Sequence, residues 1–331
     1  MKGVCMSTKI LSISIAAYNV AKCIDQAMAS LCQDEGLLQK IEVIIVNDGS
    51  KDETSQIAHG YADRFPESVV VVDKANGGYG STINASLKIA QGKYYKLLDG
   101  DDWYSTDNLR GFISFLENST ADLVISPYYE VRENETKTVD SHQEISAETT
   151  DLNSIAIQNH TFLMHEIAVN TELFRTLNQP IAEKCFYTDL EYVFYVIACV
   201  NTVARYSKPV YCYKLGVEGQ SVSLTGIRKH YKDFPVVARR MFAFYEKEAG
   251  KSTGNKKAAL DAAVWNYSYH TYHAYTVLEN PKAMKKELVA LDKEIKQFYP
   301  NVYTLGFNSK LVRLLRKSHF LAYPLICKMS R

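Results

Sequence analysis

Between residues 10 and 126, short apolar runs alternate with segments of helical periodicity, and few folds accommodate such a chain. Ile10 to Ala16 is rich in β-branched residues, and Ile24, Ala27, Met28 and Leu31 then recur at helical spacing. Ile41 to Val46 is a near-continuous apolar run, as expected of a strand buried on both faces. Ser50-Lys51-Asp52-Glu53 reads as a capping box that opens a helix carrying Ile57, Tyr61 and Phe65. Val69 to Val72 reads as a third strand. A helix with Ile83, Leu87 and Ala90 follows, with Gly92 placed as its C-terminal cap. Tyr94 to Leu98 is a fourth strand ending at Asp99. Thr106 is placed to cap a helix carrying Leu109, Phe112, Ile113 and Leu116, and Asp122 to Ser126 is a fifth strand. Strand and helix alternating through short connections predict an α/β fold with a mostly parallel sheet flanked by helices.

The remainder of the chain changes character. Residues 132 to 160 are polar and predict a hairpin or excursion. Phe162 to Arg175 and Val203 to Tyr213 return to strand-like patterns. From about residue 228 the pattern is helical. Leu260, Val264, Tyr267, Thr271, Ala274 and Leu278 form one stripe, and Met284, Leu288, Leu291, Ile295 and Phe298 form another between Pro281 and Pro300. Residues 8–225 are therefore expected as one catalytic domain, with 8–130 and 131–225 as its halves, and 226–331 as a helical C-terminal extension.

Composition removes several functional classes. With 38 basic and 37 acidic side chains the net charge is +1, which gives no field to draw nucleic acid. Seven cysteines with no Cys-x-x-Cys pair support neither a zinc ribbon nor a disulfide framework, so reduced thiols are expected. The start of the chain lacks a signal-peptide apolar region and no run of 18 apolar residues occurs. The expected location is cytoplasmic. Leu311, Val312, Leu314, Leu315, Phe320 and Leu321 alternate with Lys310, Arg313, Arg316 and Lys317. Residues 310–331 could thus touch the inner face of a membrane, or pack on the protein with the charges solvated.

In parallel sheets ligands bind beyond the carboxyl ends of the strands, and polar clusters fall there. At Asp99-Gly100-Asp101-Asp102, three carboxylates within four residues repel one another unless a cation sits among them, and hard oxygens suit Mn2+ or Mg2+. A solvated acidic turn is the plainer alternative. At Asn47-Asp48-Gly49-Ser50, Asp48 can accept from a ribose hydroxyl or a base N–H; a turn with Ser50 as helix cap is the alternative. Asn76-Gly77-Gly78-Tyr79-Gly80 resembles a phosphate cradle but lacks the Lys-Ser/Thr end of a P-loop. In Phe186-Tyr187-Thr188-Asp189-Leu190-Glu191, Asp189 could serve as a general base, with the aromatic pair raising its affinity for protons; helix capping is the alternative. Glu191 is the competing carboxylate, or a solvated first-turn residue.

Taken in order, these four motifs resemble the family-two inverting glycosyltransferases with a GT-A-like fold. The first strand ends in Ala16-Ala17-Tyr18-Asn19 and the second in Asn47-Asp48-Gly49-Ser50; Asn76-Gly77-Gly78 and Asp99-Gly100-Asp101-Asp102 follow. The resemblance spans roughly residues 8 to 225. It implies that Ala16, Tyr18 and Asp48 surround the base and ribose of a nucleotide, commonly uridine. Asp99 would face the ribose or the metal, Asp101 would ligate the metal directly, and Asp189 would be the catalytic base. It implies a UDP-sugar donor, a metal cofactor (Mn2+ or Mg2+), and a glycan, lipid-linked or protein-linked acceptor in bacterial cell-surface glycan synthesis. Ala16 stands where many members carry Pro or Thr, and Thr188 where a Glu is usual. Gln220-Ser221-Val222-Ser223 resembles a loop that closes over donor phosphates in relatives, or is a polar turn. A nucleotidyltransferase would want a basic Gly-rich loop after the first strand, which Ala16-Ala17-Tyr18-Asn19 is not; a nucleotide-sugar binder without a base is the other alternative.

Overall fold

The apolar runs become the centre of an eight-stranded sheet in the order β3-β2-β1-β4-β10-β6-β11-β9. β1 (Leu11–Ala17), β2 (Ile41–Asn47), β3 (Val69–Asp73) and β4 (Tyr94–Asp99) run parallel. Every residue of β2 is buried, as its unbroken apolar sequence requires. Between these strands lie α1 (Ile24–Cys32), α2 (Glu35–Leu38), α3 (Thr54–Arg64) and α4 (Tyr79–Ile89), with α4 packed on β1 and α3 on β3. This computed structural model describes residues 9–156, 162–216, 223–248 and 251–330. Gln220, Ser221 and Val222 of the late loop motif lie outside the described residues, and Ser223 accepts from Gly226 N–H as a helix cap.

The far half of the sheet is mixed. β6 (Leu123–Ile125) follows α5 (Thr106–Asn118) and pairs antiparallel with β10 (Ile167–Asn170), which also pairs antiparallel with β4. β11 (Thr202–Arg205) is parallel to β6, and β9 (Thr150–Asp151) closes the edge antiparallel to β11. A second sheet, absent from the expectation, has the order β5-β12-β7-β8, from β5 (Trp103–Tyr104), β7 (Tyr128–Arg132), β8 (Glu135–Val139) and β12 (Tyr211–Lys214). The strand-like stretch expected to Arg175 ends at Asn170, whose side chain caps α6 (Thr171–Thr176) by accepting from Leu173 N–H.

Two local expectations are corrected. Ser50 does not cap α3, because its hydroxyl accepts from Asn19 N–H at 3.0 Å; Asp52 accepts instead from Thr54 N–H at 3.1 Å. Gly92 is not the cap of α4, which ends through Ala90. A Cβ at Gly92 would lie 2.4 Å from Ser12 N, so glycine is needed for close approach to β1.

Among the described residues the chain forms two compact units. The first comprises 9–155, 162–184 and 199–216, and the second 156, 185–198, 223–248 and 251–330. The second unit is helical: α7 (Asp189–Cys199) to Ala198, then α8 (Leu224–His230), α9 (Asp233–Lys247), α10 (Gly254–Thr276), α11 (Pro281–Phe298), α12 (Pro300–Leu305), α13 (Lys310–Lys317) and α14 (Tyr323–Met329). It takes in residues ahead of position 225, where the sequence places the boundary. The stripe of α10 is buried as read, with Leu260, Val264, Thr271 and Ala274 fully enclosed. Phe298, expected on the inner face of α11, is exposed, and Asp292 is buried in that helix instead.

The reason lies in α13, whose charges are not all solvated as one alternative supposed. Arg316 is buried, and its Nε donates to Asp292 Oδ1 at 2.7 Å and its Nη2 to Tyr272 Oη at 2.9 Å. Val312, Leu315 and Phe320 are buried as well, while Lys310, Arg313 and Lys317 face solvent with Leu314 and Leu321.

Candidate active site

Parallel register delivers the motifs of the first unit to one rim. Ala16 of β1 pairs with Asp99 of β4, and Ala17 pairs with Asn47 of β2. Asp48 follows, its N–H donating to Ala17 O at 2.9 Å. Tyr18, just past β1, is exposed. Asn19 adopts φ +55, a left-handed turn that asparagine tolerates, and its Oδ1 accepts from Lys51 N–H at 2.8 Å. Ala16, Tyr18, Asp48, Asp99 and Asp101 therefore share the carboxyl edge of the sheet, while Asp189 belongs to the second unit.

Asp48 is buried and clamps the glycine-rich segment. Its Oδ1 accepts from Gly77 N–H at 2.8 Å and from Lys74 Nζ at 2.6 Å, and its Oδ2 from Gly78 N–H at 2.8 Å. The glycines thus turn towards Asp48, and Tyr79 is aimed at β4, donating from its hydroxyl to Asp99 Oδ1 at 2.7 Å.

At the end of β4 the chain turns tightly, since a Cβ on Gly100 would sit 2.9 Å from Ala16 O. Asp102 is buried beneath the rim. Its Oδ2 accepts from Tyr211 Oη at 2.6 Å and its Oδ1 from Lys214 N–H at 2.7 Å. The Tyr211 hydroxyl also accepts from Asp99 N–H at 3.1 Å, so one phenol joins both carboxylate positions. Burial, with the neighbouring Asp99 next in effect, pushes the Asp102 carboxyl up to about 8.

One ligand atom each from Asp99, Asp102 and His165 lie within 4.8 Å of one another. The His165 ring stacks on Tyr213 with centroids 4.3 Å apart and meets Tyr211 edge-on at 4.8 Å. Its Nδ1 is buried without a hydrogen-bond partner among the described residues. Burial, reinforced by Lys96, pushes the imidazole down to about 3, which keeps it neutral with a lone pair available. Lys96 is fully buried and donates from Nζ to the backbone oxygens of His165 at 2.7 Å and Ile167 at 3.1 Å, pinning this loop. Asp99, an Asp102 carboxyl whose proton a cation would displace, and a neutral imidazole with an unpaired buried nitrogen fit a divalent cation such as Mn2+ or Mg2+.

The sequence names Asp99 and Asp101 as metal residues; the converging group contains Asp99 together with Asp102 and His165, and Asp101 lies in the turn beside them. His165 carries no sequence motif, and Tyr211 stands 109 residues from the Asp102 it binds. Neither could be found from local spacing.

In the second unit, Asp189 is the first residue of α7, preceded by Tyr187 in a left-handed conformation, φ +63. The Tyr187 ring stacks on Phe234 at 4.0 Å. Burial raises the Asp189 carboxyl above its ordinary value of 3.8, against the opposing N–H groups of Leu190 and Asp189 itself. Glu191 is not a solvated first-turn residue: it is fully buried, and Arg240 Nε donates to its Oε1 at 2.6 Å.

A parallel sheet with acidic residues at its carboxyl edge, together with a mixed half and a helical unit, defines a GT-A-like α/β protein. The model of glycosyl transferase family 2 matches residues 12–183, more than half the chain, and the chain belongs to that family. Curated relatives include EpsJ of Bacillus subtilis, an uncharacterized glycosyltransferase, 35% identical over 120 residues, 36% of this chain and 34% of that one. GgaB of Bacillus subtilis, a minor teichoic acid biosynthesis protein, is 25% identical over 217 residues, 65% of this chain and 24% of that one. The chain thus spans about a third and a quarter of these two relatives. Similar solved structures include S. aureus TarS 1-349 in complex with UDP, at TM-score 0.68 and 18% identity, covering 96% of this chain and 90% of that one. The mannosyltransferase PcManGT from Pyrobaculum calidifontis, in complex with GDP-Man and Mn2+, reaches 0.53 at 14% identity over 96% of this chain and 86% of that one. These two likenesses are of fold. Among the described residues no helix is long and apolar enough to cross a membrane.

Proposed function

We propose that the chain transfers a sugar from a UDP-sugar to an acceptor hydroxyl with inversion at the anomeric carbon. The observation that carries this reading is the convergence of Asp99, Asp102 and His165 at the end of β4 in a family-2 chain. Ala16, Tyr18 and Asp48 flank the uridine and ribose, Asp48 acting also through the glycine segment it holds. Asp99 and Asp101 would hold the cation, with Asp102 and His165 converging on Asp99. When bound, Mn2+ or Mg2+ supplies positive charge against the diphosphate that departs. Asp189 takes the proton of the attacking hydroxyl, and a raised pKa makes its carboxylate a stronger base than an ordinary aspartate. One displacement from the face opposite the leaving group inverts the anomeric carbon.

The acceptor is proposed to be a glycan, lipid-linked or protein-linked, of the bacterial cell surface, a reading supported by the name of GgaB. Peripheral membrane contact through residues 310–331, at the cytoplasmic face, is supported by exposed Leu314, Leu321, Leu325 and Met329 beside exposed Lys310, Arg313 and Lys317. The test is a panel of UDP-sugars incubated with Mn2+ and read for the released nucleotide. Release of UDP supports the reading. Formation of UTP and a sugar 1-phosphate only when pyrophosphate is added would mark a nucleotidyltransferase, and binding without release would mark a sugar-nucleotide binder.

A further inference from the structure

The four-stranded sheet has a second face that the chemistry above does not use. Cross-strand register places Trp103, Cys212, Tyr129 and Thr138 in a single row. Residues paired in register project to the same side. Their chain neighbours Tyr104, Tyr211 and Tyr128 project to the other side and are buried, and Tyr211 is the phenol that holds Asp102. One face of the sheet therefore supports the acidic cluster, and the opposite face floors a separate cavity of about 570 Å³.

The shape of that cavity follows from the row. Trp103 and Tyr129 stand on the two strands flanking β12, roughly 10 Å apart at the backbone, since neighbouring strands are about 4.8 Å apart. The small side chain of Cys212 lies between them, leaving a slot with an aromatic ring on each side. Gln26 and Gln33, from α1 and its C-terminal end, and Asp107 of α5 are among the other lining residues and are exposed. The wall is fixed, because Tyr104 N–H donates to Ser30 Oγ across the β5–α1 junction at 3.2 Å.

We propose that this slot is a saccharide site that takes one neutral pyranose residue of a glycan, apart from the donor cluster. A pyranose has an apolar C–H face and a rim of hydroxyls that both donate and accept. Aromatic rings offer the apolar surface, amides both donate and accept, and a carboxylate accepts. The volume is that of an ordinary small-molecule site. Among the described residues the lining contains no Lys or Arg and one carboxylate, which disfavours phosphate and nucleotide. Trp103 directly follows Asp102, so a glycan held here lies on the same turn as the reaction centre while leaving it open. Occupancy of the slot needs neither donor nor metal, so it is tested independently of transfer.

The chain has two tryptophans, and Trp265→Phe leaves Trp103 as the sole one. That variant is titrated, without nucleotide or metal, with maltotetraose, cellotetraose and N-acetylchitotetraose while tryptophan emission is followed. The expected result is a saturable change with at least one of the three, unaffected by saturating UDP. Tyr129→Ala or Gln33→Ala, added to Trp265→Phe, weakens it at least about tenfold, the loss of about 1.4 kcal/mol of binding. Gln33 is exposed at a helix end, so its substitution tests the slot even where Tyr129→Ala fails to fold. No saturable change with any of the three sugars, a change abolished by UDP, or a change that Gln33→Ala leaves intact would overturn the assignment.

Discussion

Asp102 and Asp292 are both buried carboxylates that accept a hydrogen bond from a tyrosine hydroxyl, yet their charges are balanced in opposite ways. In the second unit a guanidinium lies against Asp292: Arg316 donates to it, and the same guanidinium sits 3.7 Å over the Tyr303 ring. In the first unit the neighbour of Asp102 is another carboxylate, Asp99, and the nearby imidazole is neutral. The helical unit closes its buried charge with the chain's own guanidinium, whereas the rim sets a second acidic side chain beside Asp102. A closed pair serves stability; the rim is where the proposed cation would add positive charge.

The largest expected effect falls on chemistry. Asp189→Asn keeps shape and hydrogen bonding but accepts no proton, so transfer should fall by about two to four orders of magnitude while donor binding survives. Single-turnover assays paired with UDP binding check both halves. Glu191→Gln is expected to act on stability instead, because Glu191 is buried against Arg240. A dead Glu191→Gln enzyme of normal stability would reassign the base.

Next comes the rim. Asp101→Asn should retain the fold and lose about a hundredfold or more in turnover with Mn2+, in line with removal of one charge-stabilising group. Steady-state rates with and without chelator measure it, and full activity in chelator would remove the metal from the mechanism.

On the closed side of the comparison, Arg316→Met should cost about 3–5 kcal/mol, because it leaves Asp292 buried without its partner. Adding Asp292→Leu should recover much of that loss. Chemical denaturation of the single and double variants decides, and an additive double loss would deny that the two groups form a unit.

The sign of the Asp189 shift gives a smaller, pH-resolved effect. Its folded pKa is raised above 3.8, so the folded chain holds a proton that the unfolded chain has already released. Ionisation therefore costs stability as pH rises through the folded value, and Asp189→Asn should raise the Tm at pH 7 even as it abolishes transfer. The acid limb of the rate profile should lie above the ordinary aspartate range and vanish in that variant. The smallest effect is expected at the tail. Leu321→Ser with Leu325→Ser should reduce flotation with anionic vesicles without changing turnover on a soluble acceptor.

Features with local causes are legible in the sequence, and those that depend on distant contacts are not. β1 to β4 were readable because strands buried on both faces need unbroken apolar runs, and the stripe of α10 because its buried positions repeat at the helical period. The rim was readable because strand ends lie next to their own turns, as at Asp48 and Asp99. The second sheet was not, since β5 has two residues and finds its partner β12 more than a hundred residues on. Ser50 misled because a backbone N–H from another loop, that of Asn19, takes the oxygen a helix cap would use. His165 is a lone histidine that nears Asp99 only when β10 pairs with β4, and buried Glu191 depends on an arginine 49 residues away.

Titration of the chain with Mn2+ in the presence of UDP, followed by electron paramagnetic resonance, tests the acidic cluster most directly. The expected result is one saturable Mn2+ per chain that is lost in Asp99→Asn and weakened at least about tenfold in His165→Ala, each variant retaining its fold. Saturable binding that persists unchanged in Asp99→Asn, or no saturable binding in the unmodified chain, would contradict a cation held at the end of β4.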